Sequence, residues 1–264
     1  MASNPPFPST PLLAGRVAVV TGGSRGIGAG IATALVEAGA QVVISGRRAD
    51  VLEKTAGEIG ATPVVADAAD RAQAGEPVRQ AIERFGGIDI LVNNVGGSAG
   101  GNSDIFAGEA GEDDGFEANL RLNLTAAYWP TKAAVHSMKA RGSGRVINIG
   151  SGASRHAAAS PAYTAAKHGL TGLTKQLAVD LARHGITVNC VCPGWTQTDL
   201  VDFDTLGKYQ GVSAEEARTS AESESAQRRI LEPTELGPMC VLLASAGGGP
   251  ITGQVIGVDG GYRL

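Results

Sequence analysis

Short runs of continuous apolar residues alternate with longer amphipathic stretches along most of this chain. The runs at 17–21, 42–45, 63–66, 88–92, 145–149, 186–192 and 254–258 predict seven strands. Helical patterns fall between them: one ending at Ala38, with Gly39 placed to cap it, then 49–59, 71–85, 114–140, a stretch carrying Tyr163 to about 184, and 233–245. The strands are apolar throughout rather than alternating, which is the mark of strands buried on both faces in a parallel sheet. Strand and helix alternate with short connections and no internal repeat, predicting one doubly wound α/β domain over 15–264 with helices on both faces. The proline-rich start, 1–14, reads as a disordered lead-in, 96–115 as a Gly- and acid-rich loop, and 199–230 as a polar, acidic segment.

Composition narrows the function classes. The chain has 264 residues, 43% of them hydrophobic, enough for a substantial core, and 38 glycines against 12 prolines point to many tight turns. A net charge of −4 and only 4% aromatic residues leave neither a basic footprint nor stacking platforms for nucleic acid. Cys190, Cys192 and Cys240 form no disulfide framework. Cys190 and Cys192, two apart in a strand, should share one face as small hydrophobes, and no further ligand at useful spacing suggests a metal. No apolar run approaches the roughly 18 residues that span a bilayer, and the N-terminus lacks a signal-peptide pattern, so a soluble, cytoplasmic protein is expected.

Two stretches carry chemistry. The first strand empties into Gly22-Gly-Ser24-Arg25-Gly26-Ile27-Gly28 and then a helix. Glycines let a backbone approach a pyrophosphate, and a helix N-terminus offers unpaired N–H groups to it. At the end of the second strand an acidic residue would bind a ribose 2′-hydroxyl, but this chain has Gly46, Arg47 and Arg48, with Arg25 nearby. Those cations suit a 2′-phosphate, and NADP(H) is the expected cofactor. The second stretch follows the strand at 145–149: Gly150-Ser151-Gly152, then an Ala-rich segment with Tyr163 and Lys167. Four apart on a helix, phenol and ammonium share a face. A neighbouring cation favours phenolate and suits a tyrosine to proton exchange.

Taken in order, TGGSRGIG (21–28), NNVG (93–96), Asn123, GRVINIGS (144–151), YTAAK (163–167), PGWTQTD (193–199) and ITGQVIGVDGG (251–261) resemble the short-chain dehydrogenase/reductase family over nearly the whole chain. The resemblance implies a Rossmann-like sheet of seven parallel strands, a nicotinamide cofactor and carbonyl–alcohol interconversion. It implies Tyr163 as general acid/base, Lys167 as the group that lowers its pKa and binds the nicotinamide ribose, Ser151 as holder of the substrate oxygen, and Asn123 as the residue that bends the long helix around a proton-conducting water. It further implies cofactor contacts from the glycine turn, from Asp67 and Ala68 beside the adenine, from Asn94, Val95 and Gly96, and from Pro193, Gly194, Thr196 and Thr198 beside the nicotinamide. Asn94 either contacts the adenosine ribose or supports the central sheet. Two departures stand out: Val95 replaces the usual alanine, and the interval from Ser151 to Tyr163 is one residue shorter than in bacterial acyl-carrier ketoreductases. A homotetramer, built through the long helices and the C-terminal region, is also implied.

Three functions follow. The leading one is an NADPH-dependent ketoreductase acting on a 3-oxoacyl or polyketide-like small-molecule ketone, with 199–230 as a substrate lid, a helix within it capped by Ser213, and Trp195 at the pocket rim. A second is an NAD(P)-dependent alcohol or hydroxy-acid dehydrogenase, opposed by Gly46-Arg47. A third, a silent NADP(H) sensor or assembly partner, is opposed by the retained tyrosine and lysine. The four histidines are scattered; His156 follows Ser151 closely enough to touch substrate.

Overall fold

The computed structural model describes residues 11–99, 115–158 and 160–264. Its centre is a sheet of seven parallel strands in the order β3-β2-β1-β4-β5-β6-β7. These are β1 (Val17–Thr21), β2 (Gln41–Gly46), β3 (Thr62–Val65), β4 (Ile90–Asn93), β5 (Gly144–Ile149), β6 (Ile186–Pro193) and β7 (Val255–Val258). Side chains on a strand alternate between faces, and the core divides accordingly. Ala18, Val20, Val42, Ile44, Val92, Ile147 and Val191 pack with Ile31 and Leu35 of α1 (Gly26–Glu37), Leu52 of α2 (Ala49–Ile59) and Cys240 and Leu243 of α9 (Gly237–Ala244). Val17, Val19, Val43, Leu91, Val146 and Val188 face the other way, onto Val78 of α3 (Glu76–Phe85), Met138 of α5 (Ala126–Arg141) and Ala178 of α6 (Pro161–Ala182). Both faces are covered, so every residue of β1 and β6 is buried. This is the doubly wound, Rossmann-like arrangement expected from the apolar runs.

Several boundaries differ from the pattern-based reading, each for a physical reason. The third helix starts at Glu76 rather than 71 because Pro77 lacks an N–H and would clash with the preceding turn; proline fits only the first turn. The long helix expected over 114–140 is α4 (Gly115–Leu120), a wider π-turn at Arg121–Thr125, and α5. There the side-chain amide of Asn123 donates to the Asn119 carbonyl at 3.1 Å, a bond that a main-chain N–H makes in a regular helix. Of the expected lead-in, 1–10 lies outside the described residues, but Leu13 is buried in the core and its N–H donates to the Ala38 carbonyl, so 11–14 belong to the folded chain. Most of the loop expected over 96–115 also lies outside the described residues. The 199–230 segment contains α7 (Phe203–Gln210) and α8 (Ala214–Ser223); Ser213 and Glu216 close a reciprocal capping box at the start of α8.

Strand order reverses between β1 and β4, and the carboxyl ends of the strands there open onto the ligand crevice expected of such sheets.

Candidate active site

The turn after β1 is built so that backbone, not side chain, forms its surface. Gly22 and Gly26 have φ of +66° and +54°, and a Cβ on Gly28 would lie 2.2 Å from the Gly22 carbonyl oxygen. No side chain fits at position 28, so the first turn of α1 presses against the loop, and a helix N-terminus carries N–H groups without intrahelical partners. Asn94 locks the turn from β4: its side-chain amide donates to the carbonyls of Thr21 and Gly22 at 3.1 and 3.0 Å. The Asn94 amide thus joins the end of β1 to the glycine turn. Val95 also points at this turn; its Cγ2 would be 3.0 Å from a Cβ on Gly22. Ile27 faces inward onto the core.

At the end of β2, Gly46 lies against Ser24, whose Oγ would be 3.0 Å from a Cβ there. Three cations surround this edge in different states. Arg25 is tied to Asp199 at 2.9 Å, Arg47 reaches only 3.9 Å from Asp67, and Arg48 stands exposed at the start of α2. Asp67 accepts a hydrogen bond from the Ala69 N–H at 2.9 Å, and Ala68 beside it is buried.

The second half of the site gathers around Gly96. A Cβ there would fall 2.9 Å from both Asn123 Oδ1 and Lys167 Nζ, so the two residues flank this glycine. Asn123 is fixed by three bonds: Oδ1 accepts from Gly97 N–H at 2.9 Å, and Nδ2 donates to the carbonyls of Gly97 and Asn119. Lys167, 2% exposed, donates to the Ile149 carbonyl at 3.1 Å, and its Nζ lies 5.7 Å from the centre of the Tyr163 ring. Tyr163 sits in the first turn of α6, where Ser160 caps its N–H and Pro161 occupies the first helical position. Ser151 caps the short 3₁₀ turn Gly152–Ser154, its Oγ accepting from Ala153 N–H at 3.2 Å.

Beneath this loop, Cys190 and Cys192 face the same way, buried, with sulfurs 3.8 Å apart. The hydrogen bond between the two thiols is the main influence pulling Cys192 below its ordinary range, against the opposing effect of burial, while it and burial push Cys190 up. Among the described residues no cluster of acidic, His or Cys side chains could hold a metal.

Pro193 ends β6 paired with Val258; beyond it Gly194 packs on the Asp259 backbone, and Thr196 bridges to Leu231. Thr198 returns to the glycine turn, its Cγ2 3.2 Å from where a Gly26 Cβ would be. The sequence-derived residues therefore fall into two groups at the same end of the sheet, the glycine turn with its cations and the Tyr163–Lys167–Asn123 group, with Thr198 touching the first.

Residues 16–207 match the family model described as short chain dehydrogenase. The chain belongs to the short-chain dehydrogenase family. Its relatives in that family include the D-beta-hydroxybutyrate dehydrogenase of Cupriavidus necator, 35% identical over 95% of this chain and 99% of the relative. A Streptomyces violaceoruber protein named for ketoacyl reductase 1 of the granaticin polyketide synthase is 36% identical, covering 93% and 92%. Among solved short-chain dehydrogenases, one from Mycobacterium marinum superposes with a TM-score of 0.84 at 32% identity, covering 96% of this chain and 97% of that one. As a short-chain dehydrogenase, the protein is an oxidoreductase of CH–OH and C=O groups that uses a nicotinamide cofactor.

Sequence reasoning gave no role to some residues that organise the site. Asn93 donates to Thr131 and Asn148, each at 2.9 Å, and Asn148 passes on to Thr174, so a buried polar chain ties α5, β4, β5 and α6 together under the site. Glu224, within the 199–230 segment, and Arg263, two residues past the 251–261 motif, meet at 2.6 Å beside Trp195. The only sequence signal for the first group was polarity inside otherwise apolar strands; for the second there was none.

Proposed function

We propose that the protein is an NADP(H)-dependent ketoreductase that reduces a 3-oxoacyl or polyketide-like ketone to the alcohol. The observation that carries the cofactor choice is the edge of β2, where Gly46 stands in place of an acid and Arg47 is held only by a 3.9 Å approach to Asp67. A 2′-phosphate would gain charge-assisted contacts there, while a carboxylate that would repel it is missing from the strand end. The backbone donors of the turn suit the pyrophosphate as well, since no side chain fits at Gly28 where the helix meets the loop.

When bound, the nicotinamide supplies a hydride to the carbonyl carbon. Tyr163 delivers its phenolic proton to the carbonyl oxygen as that oxygen gains charge, and Ser151 Oγ holds the same oxygen. Lys167 holds its ammonium 5.7 Å from the centre of the Tyr163 ring, beside the group that gives up the proton. Asn123 and Lys167, on either side of Gly96, form the path by which a proton returns to Tyr163. Thr198, Thr196, Gly194 and Pro193 shape the nicotinamide end, Asp67 and Ala68 the adenine end. The α7–α8 segment serves as the lid.

A second reading, an alcohol or hydroxy-acid dehydrogenase, is favoured by the hydroxybutyrate dehydrogenase among the relatives. The two separate on cofactor. With a ketone panel, kcat/KM for NADPH should exceed that for NADH at least tenfold, on the order of one charge-assisted contact; an NADH preference, with the alcohol oxidised faster than the ketone is reduced, selects the second. We also read the protein as cytoplasmic and as a homotetramer; Tyr128 on α5, Val179 on α6 and Leu242 on α9 are exposed apolar side chains that further copies could cover.

A further inference from the structure

The last six residues, 259–264, do not trail away from the sheet. Asp259 turns the chain after β7, its Oδ1 accepting from the N–H groups of Gly261 and Tyr262 and its Oδ2 pairing with Arg155 at 3.2 Å. The segment then zips onto the stretch that leaves α8: Ala226 N–H donates to Gly261, Gln227 N–H to Gly260, and Arg263 N–H to Glu224 at 2.8 Å. The Tyr262 ring, 6% exposed, lies so close over Gly152 that a Cβ there would be 2.4 Å from its Cε1. The C-terminus thus lies against the residue that follows Ser151.

Arg263 makes the decisive contacts. One Nη donates to the Ala157 carbonyl at 2.7 Å, on the loop between Ser151 and Tyr163, and the other to Glu224 at 2.6 Å. The remaining oxygen of Glu224 accepts from Trp195 Nε1 at 2.7 Å. Arg263 holds a φ of +49°, in the left-handed region that side chains disfavour, so the surrounding contacts over-determine its backbone. Burial works against the charge on Glu224, yet the bonds from Arg263 and Trp195 outweigh it and hold the carboxyl below its ordinary range.

We propose that Arg263 is a positioning residue for the substrate: through Glu224 it fixes the Trp195 ring at the pocket rim, and through Ala157 it fixes the loop between Ser151 and Tyr163. The clasp sets the shape of the carbonyl pocket without touching the cofactor turn, and it rests on the reading of this pocket as the ketone site. It predicts a selective effect. Arg263→Ala raises KM for the ketone about tenfold, in line with the loss of a charge-assisted pair that is partly exposed. KM for NADPH rises less than KM for the ketone, because no contact of Arg263 reaches Gly22–Gly28 and Glu224 holds only the Trp195 side chain, not the flanking Gly194 and Thr196 that shape the nicotinamide end.

The test measures kcat and both KM values for the wild type, Arg263→Ala, Arg263→Lys and Glu224→Gln, using the ketone panel and NADPH. A second readout uses Trp129→Phe, which leaves Trp195 as the sole tryptophan; its emission should shift to the red when Arg263→Ala is added. Ketone KM rising in Arg263→Ala and Glu224→Gln, partial recovery in Arg263→Lys, and the red shift support the clasp. Ketone KM unchanged, or ketone and NADPH values worsening together with melting temperature, overturns it. If the wild type turns over none of the ketones, the functional reading fails by itself, and the Trp195 emission alone decides the clasp. Should Arg263→Ala not fold, Glu224→Gln, which keeps the side-chain shape, carries both readouts.

Discussion

Gly96→Ala puts the strain of one methyl group at the junction of the two residues proposed to relay protons. The new Cβ would sit 2.9 Å from Asn123 Oδ1 and 2.9 Å from Lys167 Nζ. Neither neighbour is free to yield: Asn123 is held by Gly97 and Asn119, and Lys167 by the Ile149 carbonyl. Relief therefore requires a shift of about half an ångström in one of them or in the Gly96 backbone. Overpacking of this kind costs about 1–3 kcal/mol, or a fall in Tm of about 2–12 °C at about 2–4 °C per kcal/mol. Misplacing a catalytic group by about 1 Å can cost about a hundredfold in rate, so a tenfold to hundredfold drop in kcat is expected at about half that shift. The assay pairs thermal unfolding with steady-state NADPH oxidation. Activity within twofold of wild type, in a folded protein, would refute the placement of Asn123 and Lys167 around the reacting centre.

Arg47→Ala should reduce kcat/KM with NADPH about tenfold while leaving NADH nearly unchanged; equal losses with both would remove the phosphate argument. Arg25 and Asp199 form an exposed pair at 2.9 Å, so a double-mutant cycle on melting should return a coupling of no more than about 1 kcal/mol. A larger value would mean that Arg25 anchors the lid. Glu235 is held down to about 2, first by its hydrogen bonds from Arg229 and then by the Glu232 N–H. A carboxyl whose folded pKa lies below its unfolded value stabilises the fold above the unfolded value and loses that contribution as pH falls through the folded one. Melting followed from pH 5 to 2 should therefore show stability falling across that window, with the share from this exposed pair absent in Glu235→Gln; identical profiles for the two proteins would contradict the assignment.

Much of this molecule can be read from its sequence because its elements carry strong local signals. Strands β1 and β6 are apolar at nearly every position since both faces are covered, so their place in a parallel sheet follows from pattern alone. The glycine turn and the Tyr163–Lys167 spacing are equally legible, as they depend on steric exclusion and helical periodicity. What the pattern could not give is anything that depends on tertiary partners. That Arg25 pairs with Asp199 while Arg47 stays nearly free is decided by residues 174 and 20 positions away in sequence. The π-turn at Asn123 is written in no periodicity, because its cause is one side-chain amide taking a main-chain role. Pro77 did announce the later start of α3, and the helical pattern across 71–85 obscured it.

The central claim is that Tyr163 and NADPH reduce a ketone, and NADPH oxidation by the wild type and by Tyr163→Phe tests it most directly. The panel contains a 3-oxoacyl thioester, a fused bicyclic ketone, a simple aliphatic ketone and a keto sugar. We expect the wild type to turn over the thioester or the bicyclic ketone with NADPH ahead of NADH. Tyr163→Phe should lose about a hundredfold to ten-thousandfold in kcat while still binding NADPH. Appreciable turnover by Tyr163→Phe, or a wild type that binds NADPH and reduces no ketone, would contradict it.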